Sequence, residues 1–218
     1  MRDSDIHAVV SEVKKTIRRW KEPVLGVVAR ETRDPFRILI ACVLSLRTKD
    51  QTTADASQRL FRLADTPEHM GALSIRTIEK AIYPVGFYKN KAKQIRGICR
   101  SLLRDFGGRV PHTIEELLTL KGVGRKTANL VVTVGYRKPG ICVDIHVHRI
   151  SNRLGYVQTR TPEETERALR QKLPAKYWIT FNNWLVPFGQ HLCRPISPFC
   201  SQCPVSRYCK RVGVRTSR

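Results

Sequence analysis

Acidic residues are scarce in this sequence. It has 18 Asp and Glu against 40 Lys and Arg, which gives its 218 residues a formal net charge of +22. The basic residues are spread from Lys14 to Arg218, so the excess does not come from one charged tail. A field of this sign attracts polyanions and repels basic proteins, which indicates a nucleic-acid partner. A cationic surface kept for solubility is the alternative, although such surfaces also bind nucleic acids.

Long apolar runs are also lacking. No stretch approaches the roughly 20 apolar residues that a membrane-spanning helix needs. The N-terminal segment "MRDSDIHAVVSEVKKTIRRW" contains no apolar run typical of a secretory signal peptide. We therefore expect a soluble, monomeric protein in the cytoplasm, associated with the nucleoid, and the sequence leaves a nuclear location open.

The sequence shows neither internal repeats nor paired alternating strands, and helical spacing dominates. Apolar residues recur at this spacing from Ile6 to Trp20, which predicts an amphipathic helix. Because "GICVDI" at 140–145 has no alternating partner, we interpret it as an extended lead into a helix. The sequence therefore predicts an all-α fold.

Helix caps support this prediction. Asp34-Pro35 is an N-cap followed by proline in the first turn, before the apolar run "FRILIACVLSL" of a buried helix. Thr113 with Glu116 has the spacing of a capping box, and Thr161 with Glu164 opens a later helix in the same way. Other helices are predicted at Thr52–Ala64, Ile75–Ile82, Lys91–Phe106, Ile114–Leu118, after Lys126, and at Tyr177–Gln190.

Four of the seven cysteines cluster near the C-terminus in the pattern C-x6-C-x2-C-x5-C. Disulfides are rare inside cells, so four thiolates at this spacing indicate one metal centre. A [4Fe-4S] cluster is favoured over a single zinc ion, because structural zinc sites usually show two close cysteine pairs and this pattern has one. The predicted ligands are Cys193, Cys200, Cys203 and Cys209, and the predicted core cysteines are Cys42, Cys99 and Cys142.

Glycines and basic residues precede an apolar helix in "LKGVGRKTANLVV", which spans residues 120–132. Glycine permits backbone conformations that other residues avoid and lets a large group approach the main chain. N–H groups in the first turn of the following helix carry partial positive charge, which suits a phosphate. An ordinary tight turn is the alternative. The predicted anion-binding residues are Gly122, Val123, Gly124 and Arg125.

The cysteine spacing, "LKGVGRKTA" and "VDIHVHRISNR" together resemble the endonuclease III family of DNA glycosylases, in the helix-hairpin-helix superfamily. Matching segments run from about Arg37 to Cys209. The resemblance implies two helical subdomains with the active site in the cleft between them. One is a six-helix barrel with the helix-hairpin-helix, at 25–137. The other is a discontinuous iron-sulfur cluster domain, at 1–24 and 138–218.

The resemblance also implies the catalytic residues. The family's lysine matching Lys126 attacks C1′ of the damaged nucleotide, and a catalytic carboxylate lies in the segment that contains Asp144. Both the helix dipole and the neighbouring Arg125 disfavour a charged amine at Lys126, which frees it to attack. Asp144 also heads a helix, so an N-cap role is expected beside the catalytic one.

The function that this implies is a bifunctional DNA glycosylase with AP lyase activity by β-elimination. It would remove oxidised pyrimidines from damaged double-stranded DNA, or act at abasic sites, in base excision repair. A mismatch glycosylase of the same fold, acting on thymine or uracil opposite guanine, is one alternative. A non-catalytic DNA-binding module is the other.

Two loops resemble the family's gap-filling elements, which occupy the space left by a flipped nucleotide. They are "SLRTKD" at 45–50 and "VGFYKNK" at 85–91. Arg47 stands where the family commonly has glutamine, and Phe87 where it often has leucine; core packing is the alternative for Phe87. We also predict DNA contacts by Lys91 and Arg194, with further candidates in Lys89, Lys93, Lys210 and Arg211.

Overall fold

The computed structural model describes residues 1–20 and 34–218. Within these ranges the regular elements are helical and no strand is present, which confirms the predicted all-α fold. None of the helices in these ranges is long and apolar enough to cross a membrane. In chain order the α-helices are α1 (Ile6–Ile17), α2 (Pro35–Ser45), α3 (Asp50–Leu63), α4 (Pro67–Ala72), α5 (Ile75–Ile82), α6 (Tyr88–Phe106), α7 (Ile114–Thr119), α8 (Arg125–Leu130), α9 (Ile145–Arg153), α10 (Pro162–Lys172) and α11 (Trp178–His191).

The chain divides into two compact units. The central unit comprises residues 24–138, and the terminal unit comprises residues 1–23 and 139–218. The bounds predicted from the sequence, 25–137 and 1–24 with 138–218, differ from these by one residue at each junction. The first junction lies outside the described residues. The assignment of the units as a barrel and a cluster domain stays a prediction.

Helix α2 supplies much of the core of the central unit. Its residues from Ile38 to Leu44 are all buried, as the apolar run predicts. The Asp34 carboxylate caps the helix by accepting a 2.8 Å hydrogen bond from the Phe36 N–H, and Pro35 occupies the first turn. Helices α3 and α8 both pack against α2. The helix that carries Lys126 is therefore supported by this buried core.

The terminal unit joins the two ends of the chain. The apolar face of α1, formed by Ile6, Val9, Val10 and Val13, is buried, and α1 packs against α11. Helices α9 and α10 pack together in the same unit. The predicted amphipathic N-terminal helix is therefore confirmed, and its partners come from the last third of the sequence.

Local capping signals placed several helices correctly. Thr113 Oγ1 accepts a hydrogen bond from the Glu116 N–H, and Thr161 Oγ1 accepts one from the Glu164 N–H. Residues 141–143 are buried without regular structure and lead into α9, as interpreted from the sequence. Helix α4 was not predicted, although Thr66 as N-cap and Pro67 in the first turn are its start signals.

The three cysteines outside the C-terminal group are all buried, as predicted: Cys42, Cys99 and Cys142.

Candidate functional site

A tight turn at residues 120–124 joins α7 to α8. Gly122 has φ of +85°, which a side chain disfavours, and its carbonyl accepts a hydrogen bond of 2.8 Å from Gln94 Nε2. Gly124 has φ of −92°, which any residue adopts. Of the two glycines in this turn, only Gly122 therefore has the backbone conformation that was predicted to require glycine. A side chain at Gly124 would meet open space, which leaves the main chain approachable.

Val123 does not offer a donor to an anion. Its side chain is buried and its N–H donates to the Leu120 carbonyl at 2.9 Å, so it anchors the turn. This corrects the prediction that its main chain binds phosphate. The hydrogen-bond ladder of α8 begins only with the Ala128 N–H, which donates to Gly124. The first turn of α8, which includes Arg125, is therefore the part of the segment suited to an anion.

Lys126 is the second residue of α8, and its side chain is exposed. Its charge acts on the Cys42 thiol of α2 and on the carboxyl of Asp50, the first residue of α3. Burial raises the pKa of Cys42 to about 12, and desolvation raises the pKa of Asp50, while the positive charge of Lys126 lowers both. The sequence reasoning missed Asp50 as a neighbour of Lys126. Its position at a helix start, as the last residue of the loop at 45–50, was the available signal.

Asp144 is held firmly in the terminal unit. It is the N-cap of α9, and its Oδ1 accepts hydrogen bonds of 2.9 Å from the N–H groups of His146 and Val147. The residue is 7% exposed. The predicted N-cap role is confirmed, and the two hydrogen bonds fix the direction of the carboxylate.

The two loops predicted to fill a gap in DNA contact each other within the central unit. Arg47 has φ of +53° and Phe87 has φ of +58°, and both side chains are exposed. The Arg47 guanidinium carbon lies 5.7 Å from the centre of the Phe87 ring. Phe87 is 61% exposed, so the alternative that it packs in the core is wrong.

Lys91 does not contact DNA as predicted, because its side chain is buried. It is 5% exposed, and its Nζ donates to the carbonyls of Leu44 at 2.8 Å and Leu46 at 2.5 Å, and to Thr48 Oγ1 at 3.1 Å. All three N–H donors of the ammonium group are therefore used inside the protein. Burial lowers the pKa of Lys91 to about 8. The prediction of a phosphate contact is wrong, and Lys91 instead joins the start of α6 to the loop at 45–50.

The four clustered cysteines line a single pocket of the terminal unit. The pocket encloses about 430 Å³, part of it open to solvent, and its other walls are mainly apolar, including Leu192 and Phe199. Burial and then the neighbouring thiols raise the pKa of Cys203 to about 11, which shows that the sulfur atoms lie within electrostatic reach of one another. Among the described residues, no three Cys, His, Asp or Glu side chains are arranged to hold a metal ion. The pocket-lining cysteines are Cys193, Cys200, Cys203 and Cys209.

Two arginines of α9 support the segment that begins at Cys193. Arg149 donates to the Cys193 carbonyl at 2.9 Å, and Arg153 donates to the carbonyls of Arg194 and Pro195 at 2.6 Å each. Arg153 Nη1 also lies 3.5 Å from Cys193 Sγ. These hydrogen bonds go mainly to main-chain carbonyls. The segment containing the first cysteine is thus held by charge-assisted hydrogen bonds.

Arg194 is exposed, as a DNA contact requires. Its guanidinium lies 5.1 Å from the centre of the Phe199 ring, and its Nε donates to the Gln190 carbonyl at 3.3 Å. These contacts hold the side chain beside the cysteine pocket of the terminal unit.

The chain is similar to known proteins over most of its length. The family model for the HhH-GPD superfamily base excision DNA repair protein matches residues 40–175. Endonuclease III of Thermotoga maritima is 49% identical over 177 residues, which cover 81% of this chain and 83% of that protein. A solved structure of a trapped endonuclease III–DNA covalent intermediate, an estranged-adenine complex, is 34% identical with a TM-score of 0.84 and 97% coverage of each chain. A thermostable thymine-DNA glycosylase structure is 25% identical with a TM-score of 0.75, covering 94% of this chain and 98% of that one. The chain therefore belongs to the HhH-GPD superfamily and, within it, to the endonuclease III family.

Proposed function

We propose that this protein removes oxidised pyrimidines from double-stranded DNA and then cleaves the strand at the abasic site. As a member of the endonuclease III family, the chain is a DNA glycosylase and AP lyase of base excision repair. The observation that carries the proposed mechanism is an exposed lysine, Lys126, in the first turn of a helix behind a glycine turn. The endonuclease III trapped in a covalent intermediate with DNA supports a nucleophilic mechanism.

In this mechanism the Lys126 amine acts as the nucleophile. Its lone pair forms a bond to C1′ of the sugar while the N-glycosidic bond breaks, and the base leaves with that electron pair and gains a proton. The sugar ring then opens and the amine becomes a Schiff base, which acidifies the C2′ protons. Removal of one C2′ proton expels the 3′ phosphate, and the strand is cut by β-elimination.

Asp144 is proposed to assist this chemistry. Positive charge develops on the sugar as the glycosidic bond breaks, and a fixed carboxylate can stabilise that charge. A carboxylate can also accept a proton from the attacking amine. The support for this role is its orientation, because two N–H groups of α9 hold its Oδ1.

The four pocket-lining cysteines are proposed to ligate a [4Fe-4S] cluster. They fit such a group, because thiolates are its usual ligands and the four side chains share one pocket with apolar walls. When bound, the cluster would supply metal–sulfur crosslinks within the terminal unit. A single zinc ion is the alternative for the same thiols. Arg149 and Arg153 would hold the first ligand segment through the carbonyls of Cys193, Arg194 and Pro195.

The proposed DNA-contacting residues are those that are accessible. The first turn of α8 would receive a phosphate, with Arg125 beside it, while Arg47 and Phe87 would enter the duplex. Lys89 and Lys93 are exposed and replace Lys91 as candidates for phosphate contact. Arg194 would meet the backbone from the terminal unit. We propose that a monomer performs this function in the cytoplasm, at the nucleoid, supported by the charge of +22.

The similarity to a thymine-DNA glycosylase supports a second candidate, a mismatch glycosylase. Both candidates share the fold, and they differ in the base that they excise. A non-catalytic module is the third possibility, because a glycine turn and a metal centre can both be structural.

Borohydride trapping tests the nucleophile. With a duplex that contains an abasic site, the wild-type protein should form a covalent adduct and Lys126→Ala should form none. The control is Lys80→Ala, which removes another exposed lysine of the central unit and should trap like the wild type. An undiminished adduct with Lys126→Ala would show that another amine attacks.

Cleavage assays with the wild-type protein and the Lys126→Ala and Lys80→Ala variants then test which damaged base is the preferred substrate. Cleavage rates should be highest on duplexes with an oxidised pyrimidine such as thymine glycol. A preference for thymine or uracil opposite guanine would favour the mismatch enzyme. Absence of both cleavage and adduct would leave only the binding module.

A further inference from the structure

The last part of the sequence carries positive charge that no acidic residue balances. Residues 167–218 contain ten Lys and Arg and neither Asp nor Glu. Among the residues that the structure describes, no carboxylate lies within ion-pair distance of the basic side chains between Arg194 and Arg218. Uncompensated charge of this sign attracts a polyanion.

Residues 210–218 follow the last of the four clustered cysteines and form a segment without helix, the C-terminal strap. Its first residues are fixed to the end of α9. The Lys210 N–H donates to the Leu154 carbonyl at 3.4 Å, and the Val212 N–H donates to the Arg153 carbonyl at 3.1 Å. Gly213 then turns the chain with φ of +72°.

The other end of the strap is fixed to the cysteine segment. The Arg218 N–H donates to the Pro198 carbonyl at 2.8 Å, and the main-chain oxygen of Arg218 accepts a hydrogen bond of 2.9 Å from the Ser201 N–H. Between the two fixed ends, Val214 lines the cysteine pocket. The strap therefore crosses the pocket and delivers Arg218 to the loop that follows Cys193.

Two arginines meet at one aromatic ring in this loop. The guanidinium carbons of Arg194 and Arg218 lie 5.1 Å and 5.2 Å from the centre of the Phe199 ring, within cation–π range. The two carbons are therefore within about 10 Å of each other, which is the Debye length at 0.1 M salt, so their charges repel. Bound phosphates would relieve this repulsion.

The Arg218 side chain is able to bind such a phosphate. The residue is exposed, and its hydrogen bonds to Pro198 and Ser201 use main-chain atoms alone. Within the described part of the chain, no carboxylate or carbonyl accepts a hydrogen bond from its guanidinium. A guanidinium offers two parallel N–H groups to a phosphate. The main chain thus holds Arg218 in place while its side chain keeps its donors.

We propose that the C-terminal strap is a DNA-contacting element, in which Arg218 and Arg194 bind one backbone phosphate each. This inference rests on the proposed function, which requires binding to duplex DNA. Phe199 is a positioning residue, because its ring holds both guanidinium groups. Contacts to phosphate carry no sequence information, so the strap strengthens binding to undamaged and abasic duplexes alike.

The salt dependence of binding tests the phosphate contact. Fluorescence anisotropy with an undamaged duplex gives the dissociation constant at several salt concentrations. For Arg218→Gln, the slope of log K against log[salt] should be smaller in magnitude than that of the wild type by about 0.9, the contribution of one phosphate. Affinity at low salt should fall severalfold, and by the same factor for an abasic duplex.

Matched variants separate this contact from general charge and from folding. Arg167→Gln removes an exposed arginine of α10 in the same unit and should keep the wild-type slope. Arg218→Lys retains a cation that can bind phosphate and should also keep it. The melting temperature of Arg218→Gln should equal that of the wild type, because the main-chain hydrogen bonds of the strap remain.

The double variant with Arg194→Gln and Arg218→Gln should lose about 1.8 from the slope, as two phosphate contacts require. A wild-type slope for Arg218→Gln, or an equal loss in Arg218→Lys and Arg218→Gln, would overturn the inference. Borohydride trapping on an abasic duplex would then still report on the proposed function. If the wild type forms no adduct, the proposed function itself fails.

Discussion

Lys91 carries a buried ammonium group whose three donors all have oxygen acceptors. Burial lowers its pKa from 10.5 to about 8, because a charged amine is poorly solvated inside a protein. Between those two values the unfolded chain keeps a proton that the folded chain has lost. The free energy of unfolding contributed by this group therefore rises with pH across that window.

The variant Lys91→Met lacks this proton and provides the reference. The free energy of unfolding of the wild type, relative to the variant, should increase by about 2 kcal/mol between about pH 7.5 and about pH 10. Urea denaturation of both proteins at both pH values measures this difference, and the titration of all other groups cancels in it. A difference that stays constant would contradict a lowered pKa at Lys91.

Residue-level prediction from the sequence succeeded where a local rule decides. Asp144 as an N-cap follows from an acidic residue before a helix, and Phe87 was recognised as a candidate for a projecting loop. Lys91 could not be placed correctly, because its acceptors lie more than 40 residues earlier in the chain. A lysine among other lysines gives no sign that it is buried.

At the scale of elements, the turn between α7 and α8 depends on two glycines for different reasons. Gly122 has a positive φ, and a β-carbon there would also lie 2.4 Å from Gln94 Nε2. Gly124 has an ordinary φ and open space beside it. Conformation is therefore the requirement at Gly122, whereas at Gly124 the open space leaves the main chain accessible.

Alanine substitutions should separate these requirements. Gly122→Ala should lower the free energy of unfolding by about 1 kcal/mol or more, because alanine is strained at positive φ. Gly124→Ala should change stability by only about 0.5 kcal/mol, the difference between glycine and alanine at an N-cap. Its affinity for abasic duplex DNA should nevertheless fall severalfold, as measured by fluorescence anisotropy. Unchanged affinity would show that this turn does not meet the backbone.

The start of an element was predictable wherever capping residues are adjacent in sequence. Asp34-Pro35 and the Thr113–Glu116 pair located α2 and α7. The contact between the loops at 45–50 and 85–91 was not predictable, since it depends on a glycine that lets two distant backbones approach.

At the scale of the whole molecule, the four clustered thiols lie in the terminal unit and three other cysteines provide natural controls. Cys203 is among the pocket-lining cysteines, whereas Cys99 is fully buried in α6 of the central unit. The freshly purified protein should be brown and contain about four irons per chain, as a [4Fe-4S] cluster requires.

Cys203→Ala should lose most of this iron and melt at a lower temperature, whereas Cys99→Ala should keep its iron. Iron and sulfide analysis with thermal denaturation measures both effects. A colourless wild-type protein that contains one zinc ion would show the cluster assignment to be wrong.

The discontinuous terminal unit also has a consequence for biosynthesis. Helix α1 is made before the central unit, whereas α11, against which its apolar face packs, is made only after the entire central unit. A growing polypeptide at the ribosome therefore exposes Val9, Val10 and Val13 for most of its synthesis, while the uninterrupted central unit can already fold. Ribosome-associated chaperones are expected to engage this first helix, and chains stalled before residue 139 are expected to aggregate through it.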